Sequence, residues 1–177
     1  SAASDVYKRQ EYFYRFIVKS GEFEGATSPV GRALTAPEAD ASVDNLNLAI
    51  ASCANWESGF FAAYGDMAQR ARGGEIDHVV FLGDYIYEYP TGEYAGKSGV
   101  ARMHHPEWEI TTLEDYRQRH GRYRTDLNLQ AAHAACPWIV IWDDHETANN
   151  SWFEGAENHT DGRVAVSYTH LTLPTKA

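Results

Sequence analysis

The chain has 177 residues, of which 44% are hydrophobic and 13% aromatic, so a packed core is expected and disorder is not. Its formal net charge of -10 argues against a specific nucleic-acid partner or an anionic-membrane surface, because charge-driven phosphate binding needs an excess of Lys and Arg. An acidic chain can still bind phosphate where metal cations invert the local field, and with no run of about 18 apolar residues no membrane span is expected.

Residues 1–10 and 166–177 show no hydrophobic period. Both ends resemble translated sequencing-adapter text, so they are expected to be non-native and are kept out of the fold reasoning. Glu11 to Val18 is aromatic and β-branched, which predicts a strand. A second extended piece runs from Ser28 to Pro37, where Pro29 and Pro37 exclude a helix and suggest an edge. Residues 38–43 form a small polar linker.

Asn45 to Cys53 alternates and then becomes wholly small and apolar, as a buried strand does. Phe60, Tyr64, Met67 and Ala71 share one helical face, and Gly73-Gly74 ends that helix. Val79 to Leu82 is a short buried strand that delivers Gly83-Asp84. The connection from Glu88 to Ile110 is long and rich in Gly and Pro, which predicts a functional or mobile loop. Thr111-Thr112-Leu113-Glu114 is a capping-box signature. Arg117, Arg119, Arg122 and Arg124 on the helix that follows are expected to form a solvated face. Asp126 can cap a second helix carrying Leu127, Leu129, Ala132 and Ala135. Pro137 ends it, and Trp138 to Trp142 is a third buried strand leading to Asp143-Asp144-His145-Glu146.

This order of elements predicts an α/β fold of parallel strands. Ligands in such sheets sit at the carboxyl ends of the strands. Cys53, Asp84 and Asp144 all fall there, so parallel pairing would bring them together. The two oxygens of Asp84 suit a bridge between two metal ions. Tyr87 can supply a phenolate, a hard donor for trivalent iron, although each of Tyr85, Tyr87 and Tyr89 can instead be loop packing. Asp144 adds a carboxylate. His145 can give a proton to a leaving alkoxide or hold the phosphate, or else be a satisfied core histidine. Asn150 can coordinate through its amide oxygen or donate to a phosphate. Asp143 reads as a turn residue. The two cysteines permit one disulfide, but Cys53 ends a strand as a ligand or a small hydrophobe, and Cys136 reads as packing.

Five ordered stretches together resemble PhoD-like alkaline phosphatases of the metallophosphoesterase superfamily. They are residues 28–37, Ala51-Ser52-Cys53, residues 81–88, residues 112–117 and residues 141–152. The resemblance covers about residues 11–165 and implies a partial αββα catalytic sandwich over residues 44–165. The last strands of a small β-sandwich domain and a linker would precede it at 11–43. It implies ferric iron and calcium as cofactors. Cys53, Asp84 and Tyr87 would bind iron, Asp84 and Asp144 would face calcium, and Asn150 would touch calcium or phosphate; from its own chemistry, His145 is the expected catalytic group. Asp-His-Glu at 144–146 stands where the superfamily usually has Asn-His-Asp or Asn-His-Glu.

The expected function is metal-dependent hydrolysis of phosphate monoesters, with diesters a further option. The alternatives are a non-catalytic metal-binding fragment and a phospholipase D-like diesterase. The later ligands of the family, an Asp-x-His motif and an arginine, find no counterpart in the sequence. The chain is therefore expected to be a fragment truncated at both ends and inactive alone. A secreted, periplasmic or cell-surface location, a phosphate-ester substrate and a monomeric state are the further expectations.

Overall fold

The structure, a computed structural model, describes residues 10–38, 40–152 and 156. Apart from Gln10, the adapter-like ends lie outside the described residues. Strands β1 (Glu11–Tyr14) and β2 (Gly31–Leu34) pair antiparallel, with Glu11 opposite Leu34 and Tyr14 opposite Gly31. The chain then runs through β3 (Leu48–Ala51), α1 (Ala62–Arg72), β4 (His78–Leu82), α2 (Leu113–Tyr123), α3 (Leu127–Ala135) and β5 (Trp138–Ile141). A second, three-stranded sheet has the order β3-β4-β5.

The backbone hydrogen bonds make that sheet parallel. The amide of Asp77, at the start of β4, donates to Asn47 at the start of β3, while past both strands Cys53 donates to Gly83. The amide of Val79 likewise donates to Pro137, just ahead of β5. Like ends therefore lie side by side, as the α/β pattern requires. The chain is a mixed α/β protein with a parallel sheet.

The described residues form two compact units. One holds residues up to Ile50 with Ala62–Val80 and Leu127–Ile139; the other holds Ala51–Phe61, Phe81–Asp126 and residues from Val140. In the first, α1 packs on α3, burying Tyr64, Ala68 and Ala71 against Leu129, Ala132 and Ala135. Small side chains let the two axes approach closely. A Cβ at Gly65 would lie 2.7 Å from Oδ1 of Asn128.

Several expectations need correction. Phe60 precedes α1 and is 72% exposed, so the buried stripe is Tyr64, Ala68 and Ala71 rather than one starting at Phe60. Leu127 opens α3 and points outward. The helix cap falls one residue later than the sequence signature: Thr112 is the N-cap of α2, with Asp115 as its reciprocal partner. Glu114 instead accepts from Gln118 one turn on. Strands β3 and β5 are not buried. Leu48, Ile50, Ile139, Val140 and Ile141 are exposed, and among the described residues no element covers them. Only β4 alternates inward, at Val79 and Phe81. An apolar strand reveals that it wants covering, but not by what.

Arg119 is the sharpest departure from the solvated face expected of the arginines, because its side chain is wholly buried. Its guanidinium donates to the carbonyls of Tyr87, Tyr89, Pro106 and Trp108. Buried Glu57 accepts from the amides of Gly92 at 2.7 Å and Tyr94 at 3.2 Å. Arg102 lies 3.6 Å over the ring of Trp56 and bonds Asp126 at 2.6 Å. The long connection is thus held along its length by charged groups satisfying backbone that has no ladder of its own.

Candidate functional site

The site is built from the turns that follow β3, β4 and β5, all within the second unit. Two bonds fasten the first pair of turns: Cys53 N donates to Gly83 O at 3.1 Å, and Ala54 N to Asp84 O at 2.8 Å. Gly83 has φ of +88, and a Cβ there would lie 2.8 Å from the carbonyl carbon of Trp142. Only glycine lets the third turn come this close. Among the described residues, the non-glycine residues with positive φ are Cys53, Asp84 and Asn150. The left-handed conformation costs about 1–2 kcal/mol at Cys53, and less at Asp84 and Asn150, whose residue types tolerate it better. All three belong to the set singled out in the sequence, and strain of this kind concentrates where side chains must be aimed.

The aiming is visible around Asp84. Sγ of Cys53 lies 3.4 Å from its Oδ2, and the phenol of Tyr87 lies 3.3 Å from the same oxygen. Oδ1 of Asp84 is buried with no hydrogen-bond partner. Ligand atoms of Asp84, Asp144 and His145 fall within 4.8 Å of one another, a grouping able to hold a metal ion. The backbone amide of Asn150 donates to Oδ2 of Asp144, which brings Asn150 beside that carboxylate. Asp143 accepts from the amide of Asp144 at 3.1 Å, a turn role.

Two carboxylates that sequence reasoning passed over hold the site together. Glu88, fully buried, accepts from Nδ1 of His145 at 2.8 Å and from the amide of Asn149 at 2.6 Å. Glu146 accepts from the amides of Tyr85 and Asp143, tying the turn after β4 to the turn after β5. Both sit inside the stretches already singled out. The only signal was their acidity next to apolar runs, which solvated turns share. His104, left unassigned from sequence, is buried beside Glu57 and stacks on Tyr123.

Burial pushes the Asp84 carboxyl above its usual range, and the Asp143 and Asp144 charges push the same way, against the Cys53 hydrogen bond and His145. Burial also raises the Tyr87 phenol, helped by Asp84 and Cys53. Burial lowers His145, but the bond and charge of Glu88, then Asp84 and Asp144, outweigh it, so the imidazole is held above its ordinary value. A crowd of acidic donors that resists carrying its charges unaided is what a cation relieves. An orphaned buried oxygen on Asp84 fits the same need.

An aromatic wall flanks the cluster. Tyr87 and His145 are 4.3 Å apart between ring centroids. Tyr94 stacks on Tyr87 at 5.3 Å and on Tyr89 at 5.2 Å, and its ring lies 5.7 Å from His145.

Parallel strand ends that converge carboxylates, an imidazole, a thiol and a phenol define an α/β protein with a candidate metal site. A family profile described as PhoD-like phosphatase matches residues 48–172, and the chain belongs to that family. Alkaline phosphatase D of Bacillus subtilis (strain 168) is 50% identical over 148 residues, covering 84% of this chain and 24% of the relative. A solved structure described as "Structure of PhoD" is 44% identical with a TM-score of 0.75, covering 90% of this chain and 28% of the other. The chain thus spans about a quarter of the length of the relatives it matches.

Proposed function

We propose that the full-length protein hydrolyses phosphate esters at the Asp84, Asp144 and His145 cluster, with iron and calcium as its metals. The observation that carries this reading is the convergence on Asp84, where Cys53 and Tyr87 meet one oxygen and the other is buried without a partner. Thiolate, phenolate and carboxylate together suit a trivalent iron, so Cys53, Asp84 and Tyr87 are assigned to it. Asp84 and Asp144 offer the oxygen donors calcium prefers, and Asn150 is assigned to calcium or the phosphate. When bound, such ions supply Lewis acidity and lower the pKa of a water.

The remaining work falls to this chain's own groups. His145 spends Nδ1 on Glu88, which leaves Nε2 to hold a phosphoryl oxygen or to give a proton to the departing alkoxide. The pinned loop under Tyr87 keeps the phenol aimed. The name of the Bacillus subtilis relative, alkaline phosphatase D, supports the same reaction class. Full-length protein assayed with p-nitrophenyl phosphate, before and after chelation and metal return, tests the proposal. Failure to turn over the ester with metals restored would sink it. Matched mono- and diester substrates separate the monoesterase from the diesterase alternative.

A further inference from the structure

Tyr94 stands apart from the other rings at the site. Tyr87 is 4% exposed, whereas Tyr94 is 47% exposed. Its backbone is nevertheless held at two points. The amide donates to the fully buried carboxylate of Glu57 at 3.2 Å, and the carbonyl accepts from Nδ2 of Asn55 at 2.9 Å. Its ring is supported by near-parallel stacking on Tyr87 and Tyr89, at interplanar angles of 24° and 29°. An exposed aromatic ring usually swings on its backbone. This one is fixed, solvent-facing and 5.7 Å from His145.

We infer that Tyr94 forms a leaving-group subsite for a planar aromatic substituent on the phosphate ester. The inference rests on the proposed function, in its form where His145 gives the proton to the departing alkoxide, so that the ester oxygen leaves on the His145 side. The group carried by that oxygen then meets the Tyr94 ring. A rigid, half-exposed ring gives an aromatic substituent an edge-to-face or offset-stacked partner on its exposed side without first having to be ordered. A methyl substituent is too small to cover it. Tyr94 is therefore a specificity-determining residue that acts on the ester's organic group, not on the phosphoryl centre.

The test compares two inhibitors that share the phosphoryl mimic, phenylphosphonate and methylphosphonate, on full-length metal-loaded enzyme. The variants are Tyr94→Leu and Tyr94→Phe. Tyr94→Leu is expected to raise the Ki ratio of phenyl over methyl about fivefold, the size of one stacked aromatic pair. Tyr94→Phe, which keeps the ring, is expected to hold the wild-type ratio. An unchanged ratio in Tyr94→Leu, or an equal rise for both inhibitors, overturns the subsite. An equal rise would mean that Tyr94 only props Tyr87. If the wild type hydrolyses no phosphate ester, the functional reading fails separately, and the Kd ratio of the two phosphonates, measured by isothermal titration calorimetry, still decides whether the ring selects aromatic groups.

Discussion

Glu88 and His145 form a buried hydrogen-bonded pair in which the carboxylate accepts from Nδ1 at 2.8 Å and from the amide of Asn149 at 2.6 Å. One side chain thereby sets both the ring orientation of His145 and the path of the turn toward Asn150. Glu88→Gln has one carbonyl oxygen where two donors need acceptors, so one donor faces an NH2 group. The expected result is a fall in kcat of about 10- to 100-fold, the usual effect of losing such a supporting partner, with KM changed much less. Under the proposed function, steady-state kinetics on the full-length protein checks it, and a KM effect larger than the kcat effect would assign Glu88 to substrate binding.

Tyr87→Phe removes the phenol that lies 3.3 Å from Asp84. If Tyr87 binds ferric iron, wild-type full-length protein shows a visible tyrosinate-to-iron charge-transfer band that the variant lacks. Absorbance of iron-loaded samples settles the point. The same band persisting in the variant would give the tyrosinate role to another residue.

Gly83→Ala meets both a backbone at φ of +88 and the carbonyl carbon of Trp142 at 2.8 Å. Left-handed strain and overpacking add, so the expected loss is about 2–5 kcal/mol. Urea unfolding measures it. A loss under about 1 kcal/mol would mean that the turn after β5 moves aside freely.

Arg119→Lys replaces a fork that reaches four carbonyls with a single ammonium. Stranded buried carbonyls are expected to cost on the order of 3–5 kcal/mol. The loop they belong to should also become cleavable between residues 88 and 110. Limited proteolysis mapped by mass spectrometry is the check, and an unchanged cleavage pattern would show that Glu57 and Arg102 suffice.

Burial lowers the His120 pKa from 6.5 to about 4, with the Arg124 charge pushing the same way. The unfolded chain therefore takes up this proton first. The stability from neutral His120 is complete above pH 6.5 and is lost as pH falls toward 4. The slope approaches about 1.4 kcal/mol per pH unit. Subtracting the unfolding free energies of His120→Gln from those of wild type between pH 7 and pH 4.5 isolates this group. A flat difference would contradict the linkage.

The fold class was legible because strand and helix periods differ, and because Gly73-Gly74 and Pro137 punctuate them in chemically forced ways. The meeting of the turns that carry Cys53, Asp84 and Asp144 was legible because a polar residue just past an apolar run has one place to go in a parallel sheet. Arg119 and Glu88 were not. A charge in a helix or loop reads as solvated unless its partners are known, and those partners, four carbonyls for Arg119 and the His145 ring with the Asn149 amide for Glu88, lie in distant segments that the sequence does not pair with them. The cap at Thr112 was missed by one residue for a related reason: Thr111 and Thr112 offer the same hydroxyl, and only the Asp115 geometry chooses between them.

By itself the sequence determined which residue types stand at the ends of the strands, and hence that Cys53, Asp84 and Asp144 would be neighbours. Tertiary structure alone decided that Cys53 and Tyr87 meet the same oxygen of Asp84 and leave the other without a partner. It also decided that buried carboxylates hold His145 and the turns in place, and that Tyr94 is a fixed wall. Periodicity and turn chemistry act between near neighbours along the chain and can be read there. The direction of a side chain, its burial and the atom it faces are set by segments far away in sequence, and they exist only once those segments have packed.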